Sequence, residues 1–154
     1  MRKISSDEAR EKYGISAAHQ VMNNGECRFR LLDNSGRGYI RTEASDRGGW
    51  QNSHSHKHTL ETYIVEEEWI GIATLQEGAR EKLGLKILRS GSIWTAPIGV
   101  THNVYMAARA LTHVVKHGGS ASSDWVTTPE SQKLDMITSK LSEIDLLRLA
   151  KENS

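Results

Sequence analysis

The chain has 154 residues, enough for one domain with a real core and too few for two ordinary ones. Its 20 Lys and Arg stand against 19 Asp and Glu, a net charge of +1, so nothing in the charge balance calls for a nucleic-acid partner. A single cysteine, Cys27, cannot make an internal disulfide, no apolar leader occupies the start, and no run approaches the ~20 apolar residues of a membrane span; a cytoplasmic protein without a membrane partner is expected.

In chain order, Ser6 to Gly14 reads as a short polar helix, with a capping residue and acids at its start and a glycine at its end. From Glu26 the texture changes to short β-like runs broken by Gly, Asn and Asp: CRFRLLDN, GYIRTEAS, ETYIVEEEWIGIATL, KLGLKIL, SIWTAPI, HNVYM and ALTHVVKH. Many strands at short spacing predict an all-β sandwich or barrel. Beyond Gly118-Gly119, two helices are expected. Thr128 caps the first, with Pro129 at its first position; Ser142 and Asp145 open the second. Leu134, Ile137, Leu141, Ile144 and Leu147 fall at helical spacing and predict a buried stripe with no catalytic group in this region. The expectation is a single domain over 1–154, with the β core at about 26–117 and the terminal helices at about 128–152.

Two segments carry the chemistry. In Gly48 to Glu61 (GGWQNSHSHKHTLE), His54 and His56 are one residue apart, which on a strand places both imidazoles on one face, and Glu61 follows. In Gly91 to Met106 (GSIWTAPIGVTHNVYM), His102 follows Pro97 and Gly99. Three neutral nitrogens and one anionic oxygen suit a divalent transition metal with room left for water or substrate. The donor set accepts iron, manganese, zinc, nickel, cobalt or copper.

The spacing Gly48, His54, His56, Glu61 resembles the first cupin motif, and Gly91, Pro97, Gly99, His102 resembles the second. The resemblance covers about Glu26 to Lys116. It implies a double-stranded β-helix, the small jelly-roll barrel of that superfamily, with His54, His56, Glu61 and His102 as the four metal ligands in the barrel mouth. It also implies a homodimer. Two positions depart from the pattern. Glu68 stands where a glycine is customary, so that hairpin is expected to close without its usual left-handed residue. Met106 stands where an asparagine is customary, and is expected to alter the pocket wall.

Alternation supplies further candidates. Tyr63 shares the face of Glu61 and is the best proton donor or hydrogen-bonding partner near the ion, or a buried tyrosine satisfied by backbone. His113 is a general base or a core histidine. His58 extends the alternation, but a set shifted to His56, His58 and Glu61 leaves only two residues before the carboxylate, so His58 is read as a rim residue. One of Trp50, Trp69 and Trp94 can wall the pocket. Arg28, Arg30 and Arg41 can receive an anionic group or form a solvated strand face. The resemblance implies a metal-dependent enzyme acting on a small polar metabolite, by sugar isomerisation or epimerisation or by oxygenation. The alternative is a non-catalytic cupin that binds or senses a small molecule.

Overall fold

A computed structural model describes residues 2–76, 82–119 and 124–152. Helix α1 (Ser6–Tyr13) starts where the Ser5 hydroxyl accepts from the Glu8 amide and stops at Gly14, whose φ of 65° is the left-handed exit glycine allows. Nearly all that follows is antiparallel strand: β1 (Ser16–Val21), β2 (Cys27–Leu32), β3 (Gly38–Glu43), β4 (Gly49–Trp50), β5 (Ser55–His56), β6 (Thr59–Glu67), β7 (Trp69–Gln76), β8 (Lys82–Arg89), β9 (Ile93–Ala96), β10 (His102–Met106), β11 (Leu111–Gly118) and β12 (Trp125–Val126). Helices α2 (Pro129–Thr138) and α3 (Glu143–Glu152) close the described chain.

The strands form a six-stranded sheet in the order β1-β2-β3-β11-β6-β9, a four-stranded sheet β4-β10-β7-β8, and a two-stranded ribbon β12-β5. The sequence neighbours β6 and β7 lie in different sheets, so Glu68 is a corner between layers and not a hairpin tip. Contrary to expectation the corner does contain a left-handed residue, Glu68 itself, at φ 60°. The Ser90 amide holds its carbonyl at 3.0 Å.

Val65, Ile70, Ile72, Leu88, Val104 and Met106 fill the space between the sheets. β6 shows the alternation that half-burial demands: Thr59, Glu61, Tyr63 and Val65 are buried while Leu60, Thr62 and Ile64 are less so. The face that includes Glu61 thus carries polar groups inward. β2 goes further, because Phe29 and Leu31 are exposed on its outer face while Arg28 and Arg30 line the cavity.

Both terminal helices form as expected. Thr128 and Ser131 make a reciprocal capping box on α2, and at the start of α3 the Ser142 amide donates to the Asp145 carboxylate while the Asp145 amide donates to the Ser142 hydroxyl oxygen. Their buried face is shifted from the predicted stripe. Leu134 and Leu146 are fully buried, whereas Ile144 is 77% exposed. The Trp50 indole donates to the Leu141 carbonyl, tying the turn between the helices to β4. No helix among the described residues is long and apolar enough to cross a membrane.

Candidate metal centre

The two motifs meet through their backbones. His54 and His102 form an isolated antiparallel bridge, with the His54 amide 3.1 Å from the His102 carbonyl and the return bond at 2.9 Å. The turn ahead of His102 is pinned to the first motif as well, since the Gly99 amide donates to the His56 carbonyl at 2.8 Å. Gly99 sits at φ 78°, a conformation that a side chain would strain.

Each imidazole is oriented by its Nδ1. That of His54 lies 3.0 Å from the Asn52 carbonyl, that of His102 3.0 Å from the Val100 carbonyl, and that of His56 3.1 Å from Asp124 Oδ2. All three partners are acceptors, so the proton sits on Nδ1 and the lone pair on Nε2. Those lone pairs converge on Glu61. His56 Nε2 lies 3.1 Å from its Oε1, and His54 Nε2 and His102 Nε2 lie 3.5 and 3.6 Å from its Oε2. Two ligands on one ion at ~2.1 Å each stand roughly 3 to 3.5 Å apart. The His56 and His54 separations fall in that range, and His102 lies just beyond it.

His56 Nε2 and His102 Nε2 are buried and have no hydrogen-bond partner. Nitrogen lone pairs facing a carboxylate repel unless a cation lies among them, so the residues fit a divalent metal. Burial pushes His54 below its ordinary value, which keeps its ring neutral and able to ligate. Burial opposes the charge of Glu61, yet its carboxyl is held well below its usual range, and the adjacent Lys116 ammonium favours the anion. Ligand atoms of His54, His56 and Glu61 lie within 4.8 Å of one another. His102 joins them through Glu61, its ring 4.7 Å from that of His54 and 6.4 Å from that of His56.

Tyr63 is where alternation placed it. Its hydroxyl donates to Glu61 Oε2 at 2.9 Å, and burial, with the nearby Glu61 charge, pushes its pKa well above the ordinary value. It is a hydrogen-bond donor at neutral pH and not a base. Lys116, paired with Glu61 across the β11–β6 ladder, reaches Oε1 at 3.2 Å.

His113 stands apart from the cluster. Thr112, Val114 and Lys116 line the cavity, so His113 occupies the opposite face of β11, where it bonds Tyr39 at 2.6 Å and the Glu66 carboxylate. His113, read from the sequence as a general base or a core histidine, is thus placed away from the metal cluster with its side chain 25% exposed. His58 is exposed, and its amide donates to Asp124. Met106 is buried, with its sulfur 3.4 Å from the amide nitrogen of Gln51, which does line the cavity. Trp94 packs its ring 5.9 Å from that of His102, Trp50 lines the outer cavity, and Trp69 stacks on Tyr105 in the core. Arg41 also faces outward, paired with Glu43 and lying over the Phe29 ring.

Two residues of the site carry no motif signal. Asp124 follows a Ser-rich stretch and precedes the two-residue strand β12, yet its carboxylate accepts from His56 Nδ1 and from the amides of Lys57, His58 and Thr59. Trp125 pairs with His56 in the ribbon and stacks its ring 5.4 Å from that of His54. Only the isolated acid after a turn-forming run hints at Asp124, as a side-chain acceptor for backbone amides.

An inner chamber of about 200 Å³ reaches Glu61, Tyr63 and Lys116, and an outer bowl of about 790 Å³ lies beside it. The two share Arg28, Arg30, Gln51, His54 and Trp125.

No protein-family model and no curated protein sequence matches the chain. Solved structures do match in shape. The cupin domain of Drosophila melanogaster CENP-C is 12% identical, with a TM-score of 0.53, over 66% of this chain and 76% of that one. KdgF from Halomonas sp. is 15% identical, with a TM-score of 0.51, over 64% and 84%. An oxalate oxidase is 17% identical, with a TM-score of 0.55, over 89% and 76%. The double-sheet topology and these shared shapes agree: the chain has the cupin fold, a jelly-roll β-barrel with helices appended at both ends.

Proposed function

We propose that His54, His56, Glu61 and His102 hold one divalent transition metal, and that the protein is a metal-dependent enzyme acting on a small polar metabolite by isomerase, epimerase or oxygenase chemistry. The observation that carries this reading is the convergence of oriented Nε2 lone pairs on a buried carboxylate. Four protein ligands leave about two positions on a six-coordinate ion. When bound, the metal supplies Lewis-acid polarisation of a substrate oxygen. The chain's own residues do the rest: Asp124 and the Asn52 and Val100 carbonyls hold the imidazoles in one tautomer, and Tyr63 and Lys116 steady the Glu61 carboxylate. The barrel walls keep bulk water from the ligands, of which Glu61 is 5% and His102 1% exposed.

The second reading, a cupin that binds or senses a ligand without turning it over, draws on one observation. Tyr63 and Lys116, the proton carriers beside the ligands in the inner chamber, are both engaged with Glu61. That arrangement suits holding a ligand at least as well as moving a proton. The enzyme structures among the shape matches support the first reading, and the CENP-C cupin domain bound to CAL1 shows the fold engaging a protein. Metal analysis of protein purified without chelator or nickel resin tests the site. Wild type should carry one equivalent and His56→Ala close to none; a full equivalent with unchanged affinity in His56→Ala would overturn the ligand set. Turnover assays against hydroxylated acids and sugar phosphates then separate enzyme from sensor.

A further inference from the structure

The chamber beside the metal cluster is built for charge. Rows of paired residues cross the inner face of β2, β3, β11 and β6: Arg30 opposes Ile40, then Val114, then Tyr63, and the neighbouring row ends in Lys116 and Glu61. Arg28 sits two residues before Arg30 on the same face, and both line the chamber and the bowl. The two arginines are not equivalent. Arg28 is spoken for, because its Nε and Nη2 lie 3.0 and 2.7 Å from Glu26 Oε2, a carboxylate only 2% exposed that is held in turn by Gln51. Arg30 meets only neutral groups, the Gln20 amide oxygen and the Met22 sulfur at 4.0 Å. Among the described residues no carboxylate pairs with it. Burial first, and the like charge of Arg28 second, depress its pKa below the ordinary value.

A charge held in partial burial, beside another of its own sign and without a counterion, is a cost to the fold. Outward-facing apolar residues on the same strand sharpen the point: Leu31 is 50% exposed while its neighbour Arg30 faces the cavity. Folding alone would favour the opposite placement.

We infer that Arg30, backed by Arg28, is the recognition point for the carboxylate of a small organic acid that enters through the outer bowl and lies in the inner chamber toward Glu61. The planar guanidinium fork matches a carboxylate with two parallel hydrogen bonds, which a point charge such as Lys116 cannot do. A chamber of about 200 Å³ has room for a short acid. Arg30 and Tyr63 stand three strands apart, about 14 Å along the sheet, so side chains reaching inward from both leave a gap that a short acid bridges. The inference rests on the metal reading for its catalytic meaning, but its binding step stands on the arginines alone.

The test is calorimetric titration of the full-length protein as purified, with malonate as the probe and malonamide as its neutral counterpart, and with metal content measured on the same samples. Malonate should bind, malonamide should bind at least tenfold more weakly, and Arg30→Gln should weaken malonate at least tenfold while retaining its metal. Arg41→Gln, on the outer face, should change nothing. In wild type the Arg30 Nε–H resonance should shift on adding malonate, a readout that survives even if the Gln variant fails to fold. Unchanged malonate affinity in a folded Arg30→Gln protein, equal binding of malonamide, or a stationary Arg30 signal would overturn the proposal. Inorganic phosphate binding more tightly than malonate with the same Arg30 dependence would overturn the carboxylate assignment. Wild type that carries no metal as purified and takes none up when supplied, yet binds malonate through Arg30, would remove the metal reading and leave this one intact.

Discussion

Asp124 gives the sharpest perturbation of the centre, because it touches none of the converging Nε2 atoms and still orients one of them. Its two oxygens divide four donors: Oδ1 takes the Lys57 and His58 amides at 3.0 and 2.7 Å, and Oδ2 takes His56 Nδ1 and the Thr59 amide at 3.1 and 3.0 Å. Lys57 and His58 are exposed, so water can replace the carboxylate at their amides. Thr59 and His56 are 1% and 2% exposed and have no such recourse. In Asp124→Ala, two buried donors go unmet at about 1–3 kcal/mol each, so stability should fall by about 2–6 kcal/mol. The imidazole of His56 also loses what fixes its tautomer. Removing such a partner typically weakens metal binding ten- to hundredfold, about 1.4 to 2.7 kcal/mol.

Asp124→Asn separates these two effects. Whichever way the amide turns, its NH₂ faces two donors; the cheaper orientation keeps the oxygen on His56 and Thr59 and leaves the NH₂ beside the exposed amides. Asn should therefore lose less metal affinity than Ala. Affinity is read by competition with a chromophoric chelator, and stability by denaturant unfolding of the metal-free protein. Asp124→Ala that loses stability but binds metal within twofold of wild type would refute the reasoning and reduce Asp124 to a brace for the turn at Lys57–Thr59.

Two other substitutions follow from the same geometry. Tyr63→Phe removes one hydrogen bond to the Glu61 carboxylate at nearly constant volume; the fold and metal content should persist, while ligand affinity or turnover falls about tenfold, and equal activity would return Tyr63 to the core. Glu68→Gly relieves a side chain held at φ 60°, a conformation that costs ~1–2 kcal/mol, against a glycine entropy cost of ~0.5–1 kcal/mol; a net gain of about 0.5–1 kcal/mol in denaturant unfolding is expected, and a loss would show that the Glu68 side chain supports the corner.

What was legible in the sequence was what short-range spacing controls. The alternation of His54 and His56, the carboxylate at Glu61 and the turn before His102 all act within a few residues, so their pattern survives in one dimension. The same holds for the caps at Thr128 and Ser142. Strand β1 was missed because Ser16–Val21 is rich in Ala, His and Gln and is exposed along nearly its whole length; it forms by pairing with β2, not by its own periodicity. Asp124 was missed for a related reason, since a two-residue strand has no period to read. The helical stripe was misplaced at Ile144 because the direction in which α3 docks is set by β8 and the core around Leu146, which lie far away in sequence.

The facing of β2 illustrates the limit most directly. CRFRL alternates charged and uncharged residues before Leu32 breaks the pattern, and alternation says which residues share a face but not which face is inside. A rule that buries the apolar set puts Phe29 and Leu31 in the core and the arginines in water. The barrel does the opposite, because the inner face of this sheet closes over a polar chamber whose far wall is the Glu61 cluster, and Glu26 and Gln51 are already in place to hold Arg28. An inverted strand is stable only where the cavity is wet or filled, so the inversion itself marks the polar side of the barrel interior, the side that His54 and Glu61 share with the two arginines.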